Sequence, residues 1–193
     1  MKLAMVDPSL FTGRYDDSLC SALGQAGHEV ILLGRPKRAT DAIEHAHYRY
    51  DPHFFGLSER VRGVAGEGRL FRAIKGTEYL AAARLGGLGA LKTADVVHVQ
   101  WLPLPMADRH MLVRLKGQKH RPALVHTVHN ASAFHGDSGA QGRGYGALLR
   151  EFDALIVHGA ETRAALVAQG VAEDRIHIVS HPPMELALAS EQD

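Results

Sequence analysis

Residues 2–33 read KLAMVDPSLFTGRYDDSLCSALGQAGHEVILL, and this stretch decides the fold. Lys2 to Val6 is an apolar run of strand length, followed by a polar loop that contains Gly13. In DDSLCSALGQAG the residues Leu19, Ala22, Leu23 and Ala26 recur at helical spacing, and Gly27 stands where a left-handed cap ends a helix. His28 to Leu33 is a second apolar run with β-branched residues, closed by Gly34 and Pro36. Strand, helix and strand at these lengths make a βαβ unit, whose two strands run parallel.

The alternation continues outward from this unit. Strands are expected at Asp95–Gln100 (DVVHVQ), Ala123–Val128 (ALVHTV), Ala154–Val157 (ALIV) and Arg175–Val179 (RIHIV). Helical segments separate them at 106–117, 145–152 and 160–169, the last capped by Gly170. From Gly68 to about Leu91, Leu70, Ile74, Thr77, Ala81, Leu85 and Leu88 predict one long amphipathic helix that frays at Gly86, Gly87 and Gly89. Residues 35–58 are least legible, with a short strand at HYRYD (47–51) as their one feature. The expected fold is a doubly wound, Rossmann-like α/β domain over residues 1–183, with a mostly parallel sheet and helices on both faces. Residues 184–193 are a C-terminal tail or the start of an interdomain linker.

Composition narrows the function classes. The 193 residues are 46% hydrophobic and 22% charged with a net charge of +1, so the chain is globular and no global charge draws it onto nucleic acid. The single cysteine, Cys20, has no intrachain partner and sits among apolar residues, which fits packing in a reducing, cytoplasmic setting. The first apolar run reaches Asp7 too soon for a signal peptide, and no later run has the roughly 20 apolar residues of a membrane span. Thirteen histidines come with neither a Cys pair nor an HExxH motif, so no metal site is expected.

In an open parallel sheet, ligands bind beyond the carboxyl ends of the strands. Asp7, Gln100 with Trp101, His129 with Asn130, His158, and Ser180 with His181 come directly after the expected strands, so polar and titratable groups gather at one edge. This set supplies hydrogen-bonding groups and a flat ring suited to a polyhydroxylated or phosphorylated ligand, and it lacks a carboxylate cluster for a metal. The loop DPSLFTGRYDD opens a helix whose first N–H groups favour an anion such as a diphosphate, yet it is neither GxGxxG nor a GxxxxGK[ST] phosphate loop. His98, His126 and His177 lie inside strands, where a histidine satisfied within the fold is the simpler account.

Taken in order, the Gly-containing first loop, GHEV, ADVVHVQW, LVHTVHN, FDALIVHGAETRAAL and QGVAEDRIHIVSHP resemble the N-terminal half of GT-B glycosyltransferases, in particular family 4. The resemblance implies an acceptor-side domain of a retaining, metal-independent enzyme. Such an enzyme moves a sugar from a nucleotide-sugar donor, a co-substrate rather than a cofactor, to a carbohydrate or lipid-linked acceptor in envelope polysaccharide synthesis. It also implies a C-terminal donor-binding domain, in cis or in trans, without which this chain is nearly inactive. His129 matches the family histidine beside the reacting sugar and is the catalytic candidate. Thr12 and Gly13 match the loop that donor phosphates approach, and Arg14, Gln100, Trp101, Asn130 and His158 are assigned to the acceptor side. Glu59 and Glu67 reproduce the family's glutamate spacing but lie in the wrong half of the enzyme.

Between Ser58 and Lys92 seven basic residues stand against three acidic ones. This segment, 60–92, suits peripheral contact with an anionic membrane or a lipid-diphosphate acceptor, and a solvated helix face accounts for the same charges. Two other readings use the same residues. One is a non-catalytic Rossmann-like module that binds a glycan or assembles with a partner, and the other is a phosphate-accepting regulatory domain built on Asp7.

Overall fold

The computed structural model describes residues 1–41, 43–66, 68–85, 89–129 and 144–181. Among them, seven strands form one sheet: β1 (Lys2–Val6), β2 (Glu29–Leu33), β3 (Arg49–Asp51), β4 (Val96–Val99), β5 (Ala123–Thr127), β6 (Ala154–Val157) and β7 (Ile176–Ile178). Their spatial order is β3-β2-β1-β4-β5-β6-β7, and every neighbouring pair is parallel. The chain therefore builds outward from β1 to one side, then returns to the other side of β1 with β4, which is the switch point where such sheets bind ligands. The helices are α1 (Gly13–Gln25), α2 (Gly56–Ala65), α3 (Arg69–Leu85), α4 (Pro105–Lys116), α5 (Tyr145–Leu149) and α6 (Ala160–Ala168).

A two-residue period divides the strand side chains between two cores. Leu3, Met5, Val30 and Leu32 face Leu10, Cys20 and Ile43, so α1 covers this face. Ala4, Val6, Ile31, Leu33, Val97, Val99 and Leu124 face the opposite way, onto Tyr79 of α3, Leu112 and Leu115 of α4, and Leu148 and Leu149 of α5. With both faces covered, β1 and β2 are almost continuously apolar, as central parallel strands must be. No helix among the described residues is long and apolar enough to cross a membrane.

The differences from the expected elements have physical causes. Helix α1 starts at Gly13, and its buried residues are Tyr15, Asp16 and Cys20, with Leu19 and Leu23 packed beside them. Ala22 and Ala26 are less enclosed, because the larger side chains set the rotation of the helix and a methyl group does not. Helix α2 has no counterpart among the expected elements: it is preceded by Phe55 in the left-handed region (φ 58°) and has no side-chain cap, so the sequence carries no start signal. Helix α3 stops at Leu85, and Gly89–Lys92 forms a separate 3₁₀ turn. The HYRYD strand shortens to Arg49–Asp51 at the sheet edge. Cys20 is buried as expected, and burial, reinforced by the charge of Asp17, pushes its thiol pKa up.

Helix α1 is clamped to the segment after β2. Asp17 Oδ1 accepts hydrogen bonds from Tyr48 Oη at 2.6 Å, His45 N at 3.0 Å and Glu44 N at 3.2 Å. Gly24 lies two turns further along, where a Cβ atom would come within 2.0 Å of the His47 carbonyl oxygen. Only the bare backbone fits there. Gly24→Ala is therefore expected to lower stability by about 1–3 kcal/mol, because the His47 backbone must move. Urea unfolding would show this as a lower midpoint with an unchanged slope, and an unchanged midpoint would contradict the clamp.

Candidate active site

The pairings Val6↔Leu33, Val6↔Val99, Val99↔His126, Thr127↔Ile156 and Val157↔Ile178 bring the strand ends level. The residues just beyond them share the carboxyl edge. Asp7 is fully buried there, and its carboxylate accepts hydrogen bonds from Thr12 N at 3.0 Å and Ser9 N at 3.2 Å. Asp16, equally buried, lies against it; burial and the charge of Asp7 hold Asp16 well above the usual carboxylate range, so Asp16 keeps its proton and donates it to Asp7. A buried carboxylate so occupied is not placed to accept a phosphoryl group, which removes the regulatory reading of Asp7.

Thr12 carries this order to the site. Its hydroxyl faces Asp7 and Asp16 and accepts the Trp101 indole N–H at 3.1 Å. Trp101 is thereby fixed, and its ring stacks on His129 with centroids 5.1 Å apart and planes 13° apart, while Phe11 meets its edge at 5.5 Å. On its other side His129 reaches Gln100. The fully buried Gln100 amide donates through Nε2 to Met5 Sδ at 3.1 Å, which turns its oxygen toward His129 Nε2 at 2.9 Å. His129 Nε2 is thus the protonated nitrogen, and Nδ1 is the acceptor.

A second group of rings lies beside His129. Tyr15 is edge-on to His129 (5.6 Å) and His158 (5.7 Å) and tilted against His181 (5.0 Å), while His129 and His158 are 5.5 Å apart. His158 Nδ1 donates to the Val179 carbonyl at 2.9 Å, leaving Nε2 a buried acceptor with no hydrogen-bond partner among the described residues. Tyr15 has no motif to announce it. Its place is set only by the rotation of α1.

Trp101 and His129 also wall a cavity of about 280 Å³ on the α3 side of the sheet. Phe55, Leu102, Leu104 and the rings of Tyr79 and Tyr145 give it apolar surface, and Ser9, Arg72, Lys75, Gln100, His126 and Thr127 add polar groups. Tyr79 Oη donates to buried Asp108 at 2.5 Å, and Asp108 also accepts from Leu104 N at 2.9 Å, so one carboxyl group ties α3 to the loop before α4. Burial pushes the Asp108 pKa up to about 7.

The structure thus brings Thr12, Gln100, Trp101, His129 and His158 together. The hydroxyl of Thr12 and the amide of Gln100 serve mainly to hold Trp101 and His129. Arg14 is exposed on the first turn of α1, next to Gly13, whose missing Cβ leaves room for Ile43 at 3.3 Å. Asn130 lies outside the described residues, as does the 184–193 segment. Among the strand histidines, His98 is satisfied by Thr127 Oγ1 at 2.8 Å, and His177 is exposed. His126 differs from the simple expectation: its Nδ1 donates to the Val99 carbonyl at 2.8 Å, but it also lines the cavity. No three His, Cys, Asp or Glu side chains among the described residues are grouped to hold a metal ion.

Burial sets the protonation of these rings. It lowers the pKa of His129 to about 4, with further depression from His158, His126 and His181, and lowers His126 to about 4 and His98 to about 3. His129 is therefore neutral near pH 7. Each folded value lies below the ordinary 6.5, so each ring contributes stability that is present above about pH 6.5 and is lost as the pH falls toward 4. Imidazole NMR titration is expected to show the Nε2–H tautomer for His129, the Nδ1–H tautomer for His126, and midpoints near 4 for both. A His129 midpoint near 6.5 would contradict the buried geometry.

Comparison with known proteins gives this geometry a context. A model of the glycosyl transferase 4-like domain matches residues 12–182. No curated protein sequence matches the chain. Among solved structures, the lipopolysaccharide outer core galactosyltransferase WaaB is 13% identical with a TM-score of 0.55, covering 100% of this chain and 50% of its own. Anabaena HepE in complex with UDP and glucose is 12% identical (TM-score 0.53, 94% of this chain and 44% of its own). A UDP-GlcNAc 2-epimerase from Neisseria meningitidis bound to UDP-GlcNAc is also 12% identical (TM-score 0.55, 92% and 45%). At these identities the likeness is one of fold, and the chain spans about half the length of the structures it matches. The match across residues 12–182, over the strand ends that carry Gln100, Trp101, His129 and His158, establishes that the chain belongs to the glycosyl transferase 4-like domain family.

Proposed function

We propose that residues 1–183 are the acceptor-side domain of a retaining, metal-independent glycosyltransferase that moves a sugar from a nucleotide-sugar donor to a carbohydrate or lipid-linked acceptor in envelope polysaccharide synthesis. It acts with a C-terminal donor-binding domain in cis or in trans, and residues 184–193 are the tail or linker toward it. The observation that carries this reading is His129, a neutral imidazole fixed at the carboxyl edge by Gln100 and Trp101. With Nε2–H directed to Gln100, the ring offers Nδ1 as an acceptor, so its role is to receive a hydrogen bond from a sugar or acceptor hydroxyl rather than to hold a proton at neutral pH.

Donor binding is supported by the start of α1. By helix geometry the N–H groups of Gly13, Arg14 and Tyr15 have no carbonyl partner within the helix, which suits a diphosphate beside Thr12 and Gly13. HepE and the epimerase, of the same fold, are described bound to UDP or UDP-sugars. Leaving-group stabilisation, usually the largest electrostatic contribution, belongs in this reading to the other domain. The chain works in the cytoplasm with peripheral membrane contact through 60–92, a reading supported by exposed Leu57 and Leu70 on the same two helices as Arg60 and Arg69.

The test is transfer from a nucleotide sugar by this chain alone and by the chain joined to a donor-binding domain. The chain alone is expected to turn over far more slowly than about 1 per second. In the joined enzyme, His129→Ala is expected to lower kcat about 10²- to 10³-fold with unchanged circular dichroism. Full activity in that variant would remove His129 from the mechanism. A joined enzyme that binds glycan but transfers nothing would favour the non-catalytic module.

A further inference from the structure

The buried pair Asp7 and Asp16 stands one hydroxyl away from the Trp101–His129 stack. Both side chains are fully buried. Thr12 Oγ1 lies between them, 3.4 Å from Asp7 Oδ2 and 3.2 Å from Asp16 Oδ2, and the same oxygen accepts the Trp101 indole N–H. Arg35 and Lys75 reach the first loop but are engaged there by other groups. Arg35 holds Asp41 in a bidentate pair (2.6 and 2.8 Å) and directs Nε to the Ser9 carbonyl at 3.2 Å, and Lys75 donates to Ser9 Oγ at 3.3 Å. Arg14, on the first turn of α1, is exposed. The other titratable groups that face the pair bring no positive charge: Tyr15, Asp17 and Cys20 on α1, Tyr48 and Tyr50 from the segment after β2, and Tyr79 on α3.

Two carboxylates in one dry space repel each other, so the pair holds together only while one of them keeps its proton. Asp16 is the one that does. Its Oδ1 is buried with no hydrogen-bond partner among the described residues, which a neutral carboxyl tolerates and an ionised one does not, whereas Asp7 accepts from two backbone N–H groups. The loop is wound tightly at this point, with Leu10 in the left-handed region (φ 53°) and its N–H on the Asp7 carbonyl at 3.2 Å. We infer that Asp16 is a positioning residue for His129: the proton it keeps holds the two carboxyls together around Thr12, and release of that proton drives them apart and frees the Trp101–His129 stack. Thr12 spans both carboxyls, so they separate only by displacing the oxygen that fixes Trp101. The assembled site exists below the pH of that proton loss and loosens above it. Its consequence for transfer rests on the role proposed above for His129.

Trp101 is the chain's single tryptophan, so its indole N–H gives one NMR signal in isotope-labelled protein. Titrated from about pH 5 to about pH 9, that signal is expected to shift in one step and to exchange with water about tenfold faster on the alkaline side. Asp16→Asn, which puts a neutral amide where the neutral acid stood, is expected to keep the acid-side signal throughout and to lack the step. Asp16→Ala is expected to show the alkaline-side signal at every pH. Because Asp16 is held above its ordinary range in the fold, folding takes up a proton and stability falls as the pH rises above that range. The urea midpoint of Asp16→Asn is therefore expected to gain on that of the wild type between about pH 5 and about pH 8. No step in the wild type, the same step in Asp16→Asn, an acid-side signal in Asp16→Ala, or no relative gain in the Asp16→Asn midpoint would overturn the inference. The wild-type and Asp16→Asn titrations decide the matter if Asp16→Ala does not fold. No transfer is measured, so such a failure leaves the glycosyltransferase reading standing, and His129→Ala in the joined enzyme tests that reading separately.

Discussion

The carboxyl edge of the sheet depends on one buried charge, the Asp7 carboxylate at the end of β1. An ion removed from water costs several kcal/mol unless hydrogen bonds replace its hydration. Here the N–H groups of Ser9 and Thr12 and the proton kept by Asp16 replace it. The same bonds fold the first loop into a fixed shape, so Thr12 can receive the Trp101 indole, Trp101 can stack on His129, and His129 can reach Gln100. Gln100 closes the circuit on the central strand, through its side chain to Met5 and its backbone N–H to Val6. The imidazole is thus held in a ring of contacts that begins and ends on β1.

Within that ring the chemistry divides in two. On one side Tyr15, His158 and His181 surround His129 with rings, and the His158 Nε2 acceptor stands ready for a hydroxyl or N–H donor. On the other, the cavity is apolar and cationic. Desolvation makes the division possible, since it keeps His129 and His126 uncharged and so prevents mutual repulsion among closely spaced imidazoles. A neutral histidine stacked on an indole is a directional hydrogen-bonding group rather than a charge.

Much of the fold is legible in the sequence because a parallel sheet with both faces covered writes itself as short apolar runs. KLAMV, DVVHVQ, ALVHTV and ALIV all mark strands to within a residue or two at each end, and Gly27 and Gly170 mark left-handed caps. Helix α2 is not legible, because a left-handed Phe55 is an uncommon way to start a helix and no Ser, Thr or Asp caps it. At the site, strand ends point to Gln100, Trp101, His129 and His158, since the residues just past a parallel strand stand at the ligand edge. Tyr15, Lys75 and Phe55 are not legible as site residues. They arrive from helices and the turns before them, and the phase of a helix against a sheet is set by packing among residues far apart in the chain. His126 escapes for a related reason: position inside a strand says nothing of whether the cavity reaches that far down the sheet.

The seam between β1 and β4 has a consequence for how the molecule comes into being. Met5 pairs with His98, and Thr12 bonds to Trp101 across a sequence separation of 89 residues. Contacts of such separation repay the entropy of closing their loop only when much of the intervening chain is already ordered. The pocket therefore has no local precursor: no fragment that ends before β4 contains both Thr12 and Trp101. Order at Trp101 therefore reports that the first loop and the end of β4 have come together.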